Sequence, residues 1–189
     1  MKTPHKTDTY YIALMGLLFA FSLVLTYVEY LIPPIPLLPP GVKLGLSNIV
    51  TMYCLFFLGR KSAFTIVFLK SGFVFLIRGI TAFLMSLSGG LLSALVMMLL
   101  LMLTSANISY LIISIAGAIA HNIGQIIIAS FILGTSLVLA YLPLLIVSGL
   151  IMGSTTGTLL KVVMPAFRVL NRTETQGMIR RSRSYIQHH

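Results

Sequence analysis

Six apolar stretches alternate along the chain with short segments that are polar or contain glycine and proline. A helix needs about 20 mainly apolar residues to cross a bilayer, so a chain of 189 residues has room for about six membrane spans. The predicted spans are residues 10–32, 43–58, 62–77, 91–103, 108–133 and 137–163. Residues 79–90, which contain serines and glycines, are predicted to form a partly inserted connector. The predicted fold is therefore all-α, with one six-helix membrane domain over 10–165 between polar tails at 1–9 and 166–189.

Composition and charge also favour insertion in a membrane. The chain is 58% hydrophobic and 8% charged, with a mean hydropathy of +1.02, whereas soluble domains carry about 25% charged residues. Lys and Arg are concentrated on one side of the predicted spans, and only Lys43 and Arg78 fall on the other side. Because cytoplasmic segments are enriched in Lys and Arg, we expect a multi-pass protein of the cell membrane with both termini inside. His188 and His189 resemble the start of a purification tag, so 175–189 carry no functional weight.

Few groups in the chain could perform catalysis or bind metal. Its acidic residues are Asp8, Glu29 and Glu174, and its single cysteine is Cys54. Carboxylate-rich Mg²⁺ sites, paired-carboxylate hydrolysis and acidic proton relays all need more carboxylates than these. We therefore expect no catalytic residues, no metal site and no covalently bound cofactor. The net charge of +10 follows from the inner segments, so no nucleic-acid partner is expected.

A proline-rich segment follows the first predicted span. Proline fixes φ and lacks a backbone N–H, so residues 33–40 cannot form an ordinary helix. The segment is predicted to be a stiff cap on the outer face, or else only a rigid loop between two spans. The residues assigned to this cap loop are Pro33, Pro36, Pro39 and Gly41. Lys43 and Asn48 follow it in the first turns of the second span, at the predicted mouth of a binding site.

Polar side chains in or next to the apolar spans are the candidate ligand-binding residues. Lys70 lies near the middle of the third span, where a charge costs about 2.5–3.5 kcal/mol unless it faces protein or water. His121 and Gln125 share one helix face, and Asn122 is turned about 100° from His121. Simpler interpretations are snorkelling for Lys70, anchoring at the interface for Lys43 and Arg78, and hydrogen bonds between helices for His121, Asn122 and Gln125. The predicted substrate-binding set is Lys43, Asn48, Lys70, Arg78, His121, Asn122 and Gln125.

Small residues recur at helical spacing on three predicted spans. Ala13, Gly16 and Ala20 share one face of the first span, where they would let another helix approach closely. Two further ladders lie on the fifth and sixth spans, at Ala116, Ala120 and Gly124 and at Gly149, Gly153 and Gly157. These ladders predict tight helix contacts, either within the chain or with a separate membrane subunit.

Several motifs together resemble one protein family. They are PPGVKLGLSNIV at 39–50, Arg78, LSGGLLS at 87–93 with Met97, and HNIGQ at 121–125. Over residues 10–165 the chain resembles the Gx transporter family. This family is often labelled heptaprenyl diphosphate synthase component I, and it is similar to the substrate-binding S components of energy-coupling factor (ECF) transporters. The resemblance implies a six-helix bundle that binds its ligand near the outer face, under the cap loop.

The resemblance also implies partners and a ligand class. Ala13, Gly16 and Ala20 would dock to a transmembrane coupling subunit driven by two cytoplasmic ATPases. The chain itself has no Walker motif, so ATP would be used by those partners. The implied substrate is a vitamin-like small molecule, with a flavin or flavin nucleotide (FMN or FAD) as the leading candidate. Thiamine-like and quinone-precursor ligands, and import or export, are open alternatives.

Two other functions compete with this interpretation. A stand-alone secondary transporter is disfavoured because the span pattern shows no inverted repeat and no carboxylate is predicted at mid-membrane. A non-catalytic membrane scaffold for a prenyl diphosphate synthase partner would fit the family label. Synthesis of prenyl diphosphates by this chain is not expected, because that reaction needs clustered aspartates for Mg²⁺ and Asp8 is the only aspartate.

Overall fold

The computed structural model describes residues 6–31, 45–103, 109–134 and 136–161, and within these ranges it contains helices and no strand. The helices, numbered in chain order, are α1 (Lys6–Leu31), α2 (Asn48–Tyr53), α3 (60–78), α4 (80–103), α5 (Tyr110–Leu133) and α6 (142–161). A π-helix at Cys54–Leu58 continues α2, and a 3₁₀ helix at Ser136–Tyr141 precedes α6. The predicted cap residues Pro33, Pro36, Pro39 and Gly41, together with Lys43, lie outside the described residues.

The stretch Arg60–Leu103 is a helical hairpin, not one straight helix. Gly79 has φ +77° and ψ −173°, a backbone conformation that is accessible in practice only to glycine. The chain reverses there, and the aromatic rings of Phe75 in α3 and Phe83 in α4 pack with their centroids 5.7 Å apart. The helices α3 and α4 therefore run antiparallel, side by side.

The prediction of a partly inserted connector at 79–90 is wrong, because the chain is helical again directly after Gly79. The serines and glycines of this segment pack against neighbouring helices instead of interrupting the helix: Ser86 and Gly90 contact α3, and Ser88 and Gly89 contact α5. The hydroxyls of Ser71 and Ser86 lie 3.3 Å apart, and a Cβ added to Gly90 would be 2.8 Å from Val67. Small residues of this kind are common at close helix contacts in membranes.

Contacts along the helices give their relative directions. Tyr11 of α1 hydrogen-bonds Ser62 near the start of α3 at 2.8 Å, and Phe19 packs on Phe73 further along both helices. The earlier residue of α1 contacts the earlier residue of α3 and the later contacts the later, so α1 and α3 are parallel. The short α2 returns between them. We call the end of the bundle that holds the α2–α3 junction the Gly59 end, and the opposite end, with the hairpin turn, the Gly79 end.

The glycine ladder on α6 packs against α5. Cβ atoms added to Gly149, Gly153 and Gly157 would meet the backbones or side chains of Ile119, Ile115 and Leu111, respectively. The order of partners is reversed along α5, so α5 and α6 are antiparallel. This ladder is therefore a contact within the chain, which was one of the two predicted possibilities. Gly124 of the α5 ladder likewise packs against α4, where an added Cβ would lie 2.7 Å from the Ser88 carbonyl oxygen.

Four described segments are long and apolar enough to cross a membrane. They are Thr9–Glu29, Arg60–Leu103, Tyr110–Leu133 and Leu139–Lys161, and Asn48–Leu58 is a shorter apolar helix. Because Arg60–Leu103 folds back at Gly79, it supplies two antiparallel helices to the bundle. The all-helical membrane fold is thus confirmed in its coarse form. The full number of six crossings and the orientation stay predictions.

Candidate functional site

Polar side chains from five parts of the chain converge on a small cavity inside the bundle, towards the Gly79 end. Its lining residues are Thr26, Glu29, Ser47, Lys70, Ala82, Met85, Ser86, His121 and Gln125. Its volume is about 10 Å³, close to the minimum needed to hold one water molecule. Two apolar clusters flank it, one around Met52, Ile66 and Met97 and the other around Met85 and Ile126. The bundle thus encloses a compact polar centre in an otherwise apolar protein.

Lys70 is the cation at the centre of this cavity. Its side chain is only 1% exposed, and its Nζ donates a hydrogen bond to Ser47 Oγ at 3.1 Å. It also interacts electrostatically with the carboxylate of Glu29. The alternative that Lys70 snorkels to the membrane surface is therefore wrong. A buried ammonium requires such partners, because burying an uncompensated charge is strongly unfavourable.

Glu29 is a cavity residue that the predicted site set did not include. It lies near the end of α1 and is 9% exposed, and its carboxylate accepts a hydrogen bond from the Leu46 backbone N–H. Glu29 therefore connects α1 to the segment that begins α2 and places a negative charge near Lys70. The available signal was a carboxylate at the end of an apolar span, but in the sequence analysis Glu29 appears only as one of the few acidic residues.

His121 and Gln125 of α5 both line the cavity, as their shared helix face predicted. His121 is 5% exposed and Gln125 is 2% exposed. The imidazole lies between two glycines: a Cβ on Gly45 would be 3.1 Å from its Cδ2, and a Cβ on Gly89 would be 2.9 Å from its Nδ1. Gly45 also has φ +87°, so a side chain there would be strained as well as crowded. The ring orientation of His121 is therefore set by close backbone packing on both sides.

Asn48 and Asn122 do not line the cavity. Asn48 is 7% exposed and donates from Nδ2 to Ser93 Oγ at 2.6 Å, and its Oδ1 has no hydrogen-bond partner among the described residues. Asn122 is turned towards α6, where its Nδ2 donates to the Leu145 carbonyl oxygen at 2.8 Å and to Ser148 Oγ at 3.1 Å. Asn122 therefore joins two helices, which was the alternative considered for it.

Arg78 also lies apart from the polar cavity. It is exposed at the end of α3 and borders a mainly apolar groove between α1 and α3, with a volume of about 380 Å³. Tyr27 and Phe73 are among the other residues of this groove, and Thr26 borders both the groove and the cavity. The predicted set is thus divided: Lys70, His121 and Gln125 meet in one cavity, whereas Arg78 and the two asparagines lie elsewhere.

The predicted docking face of α1 is exposed. Ala13, Gly16 and Ala20 are each exposed in this chain, and a Cβ added to Gly16 would meet no atom within 4 Å. In contrast with the α6 glycines, these small residues have no helix of the described chain packed closely on them. Among the described residues, no three His, Cys, Asp or Glu side chains come together as a metal site.

The model of the family described as heptaprenyl diphosphate synthase component I matches residues 18–163. The chain belongs to this family. The resemblance to this family is confirmed, whereas its similarity to ECF S components stays a prediction, and the matched region contains all the lining residues of the polar cavity. No curated protein and no solved structure is significantly similar to the chain.

Proposed function

We propose that this family member is the substrate-binding S component of an ECF-type ATP-driven transporter. One observation carries the proposal: a buried cavity combines an ammonium, an amide, an imidazole and several hydroxyls inside a membrane bundle. Polar and ionisable groups inside a membrane bundle are energetically costly, so their convergence on one cavity indicates a functional site. Convergent polar groups in a concavity mark a candidate ligand site. Because the cavity has room for about one water molecule, the proposal requires it to open when a ligand binds.

The same proposal includes six crossings with both termini in the cytoplasm. Arg60 and Lys61 lie at the Gly59 end, and α6 ends there with Lys161. Among the described residues, Arg78 is the exposed cation at the Gly79 end. The positive-inside tendency then favours a cytoplasmic Gly59 end in the cell membrane. The cavity lies nearer the opposite end, which supports capture of a ligand from outside the cell.

The proposed ligand is a vitamin-like molecule with an anionic group and a hydrogen-bonding ring system. Lys70 and Ser47 supply donors suited to an anion, and Gln125 and His121 supply groups suited to a heteroaromatic edge. FMN or FAD fits this description and is the leading candidate. Riboflavin would use only the ring-binding groups, and a thiamine-like phosphate would use mainly the anion-binding ones.

The proposed partners are a transmembrane coupling subunit and two cytoplasmic ATPases. The exposed face formed by Ala13, Gly16 and Ala20 supports docking of a partner helix, since small residues permit close approach. The printed sequence has no Walker motif, so the ATP-hydrolysing groups would come from the ATPases. In this assembly the chain binds substrate and has no covalently bound cofactor or catalytic role. Its three acidic residues give it no aspartate cluster for prenyl diphosphate synthesis.

A proton-coupled secondary transporter is the second candidate, and one observation favours it. Glu29 is a buried carboxylate beside Lys70, and such pairs can carry protons in transporters. The two candidates differ in their energy source. Proteoliposomes containing this chain alone should show no substrate uptake driven by a pH gradient if it is an S component, and clear uptake if it is a secondary transporter.

Co-purification tests the proposed function directly. The chain should be purified with and without candidate coupling and ATPase subunits, and any bound small molecule identified by absorbance and mass spectrometry. A flavin mass together with a stable complex would support the full proposal. A complex without flavin would keep the S-component assignment and remove flavin from first place. Absence of both a ligand and a complex would overturn the proposal and favour the scaffold alternative.

A further inference from the structure

The polar residues that line the cavity are mostly hydrogen-bond donors, with one carboxylate among them. Glu29 is the single carboxylate among its lining residues, whereas the other polar members, Thr26, Ser47, Lys70, Ser86, His121 and Gln125, can all donate hydrogen bonds. A wall of donors around an ammonium is suited to an anion. The Glu29 carboxylate would repel an anionic ligand, so its presence in this cavity needs an explanation.

Glu29 already occupies the position that an anionic ligand would need, in the same cavity wall as Lys70. Its carboxylate accepts the Leu46 N–H and interacts with Lys70, and Lys70 in turn donates to Ser47 beside Leu46. Carboxylates and phosphates share this preference for an ammonium combined with a backbone N–H. The carboxylate of Glu29 thus lies where the anionic group of a ligand would be most strongly stabilised.

The size of the cavity adds a steric argument. A volume of about 10 Å³ accommodates about one water molecule, which is smaller than a phosphate or carboxylate group. A ligand anion therefore cannot simply be added to the groups present, and one of them must move. Withdrawal of Glu29 would both make space and leave Lys70 in need of a counter-ion, because a buried ammonium is costly without one.

We propose that Glu29 is an internal substitute for the anionic group of the ligand. On loading, a phosphate or carboxylate replaces the Glu29 carboxylate at Lys70 and the Leu46 N–H. The exchange keeps a negative charge near Lys70 in both states and releases the link between α1 and the start of α2. This inference deepens the proposed function, because it rests on the cavity being the substrate site and it assigns the anion-binding groups within that site.

Inorganic phosphate is a suitable probe because it carries the charge without the ring. Thermal unfolding of the full chain in phosphatidylcholine nanodiscs would be followed during phosphate titration, with chloride at matched ionic strength as reference. Glu29→Gln removes the competing charge and should bind phosphate at least about tenfold more tightly than the unchanged chain. Lys70→Met should abolish the phosphate-dependent shift. The exposed Lys61 lies at the other end of the bundle, so the control Lys61→Met should leave the shift unchanged.

Weaker phosphate binding by Glu29→Gln, or an undiminished shift in Lys70→Met, would overturn the inference. If Glu29→Gln does not fold, the melting temperature of Lys70→Met is compared with that of the double variant Glu29→Gln/Lys70→Met. Removing both charges should give a higher melting temperature than removing Lys70 alone, and an equal or lower value would contradict the pairing. Acetate and phosphatidylglycerol titrations in the same assay distinguish a carboxylate or a lipid headgroup from phosphate.

FMN and riboflavin separate this inference from the proposed function. If Glu29→Gln strengthens and Lys70→Met weakens binding of FMN but not of riboflavin, both proposals are supported. If neither flavin binds but the phosphate pattern holds, the flavin assignment fails and the anion exchange stands. If both flavins bind equally in all variants, the flavin site stands and the anion exchange fails.

Discussion

The contact between α5 and α6 gives the sharpest prediction about the fold. Gly153 of α6 lies against the backbone of α5, where an added Cβ would be 2.9 Å from the Ile115 nitrogen and 3.0 Å from the Ser114 carbonyl oxygen, with the Ile115 Cα also in contact. These are backbone atoms, so they cannot move away by a change of rotamer. Gly153→Ala should therefore push the two helices apart and disturb the neighbouring contacts of the α6 ladder.

The size of the effect follows from two opposing contributions. Overpacking a close contact costs about 1–3 kcal/mol, and the backbone position of the obstruction at Gly153 favours the upper part of that range. Alanine gains about 1 kcal/mol over glycine through its higher helix propensity. The expected net loss of stability for Gly153→Ala is therefore about 2 kcal/mol. Gly16→Ala gains the same propensity without a clash, since no atom lies within 4 Å of its added Cβ, so the two variants should differ by about 3 kcal/mol.

Reversible unfolding in mixed detergent micelles, followed by circular dichroism, would measure both variants under the same conditions. Gly16→Ala is the matched control, because it makes the same chemical change in an apolar helix. Equal stabilities, within about 0.5 kcal/mol, would refute the packing described for α6. The same Gly16→Ala sample also tests docking: under the proposed function it should fold normally but capture less of the coupling subunit in a pull-down.

Three further predictions concern the turn, the cavity and the orientation. Gly79→Ala forces a side chain into a backbone conformation reserved for glycine and should lower the free energy of unfolding by about 1–3 kcal/mol in the same assay; an unchanged value would contradict the hairpin geometry. Gly89→Ala should displace the His121 ring and weaken binding of the co-purified ligand by about tenfold or more, whereas unchanged affinity would exclude that ring from the site. Under the proposed orientation, Arg78→Cys should react with a membrane-impermeant maleimide from outside intact cells and Lys61→Cys only after lysis, and the opposite pattern would reverse the topology.

The helical membrane fold was predictable from sequence because it depends on the length and apolarity of segments. The local exception was 79–90, where serine and glycine in a sequence suggest a loop. In this bundle such residues serve close helix contacts, as Gly90 does against Val67. The turn itself needs only one residue, Gly79, with an unusual φ. The third span was predicted to end at residue 77, and α3 ends at 78. A single positive-φ glycine does not show that a helix resumes directly after it, so the start of α4, at residue 80, was wrongly placed at 91.

Part of the candidate site was predictable for a similar reason. His121 and Gln125 are four residues apart, so they lie on the same face of a helix, and the structure places both in the cavity wall. Helix spacing does not fix which neighbour a side chain faces, so Asn122 was assigned to the site although it bonds to α6. The role of Glu29 depends on a contact with Leu46 across the proline-rich segment. Such long-range contacts are set by tertiary packing and cannot be read from one sequence.

Equilibrium binding of FMN to the purified chain in nanodiscs, measured by flavin fluorescence, would show whether the polar cavity is the substrate site. Gln125→Ala and Asn122→Ala form a matched pair, because both remove a buried amide from neighbouring turns of α5, but only Gln125 lines the cavity. We expect Gln125→Ala to weaken binding by about tenfold or more. Asn122→Ala should lower stability and leave the affinity of the folded fraction unchanged. Equal losses of affinity in both variants, or a loss only in Asn122→Ala, would contradict a substrate site at this cavity.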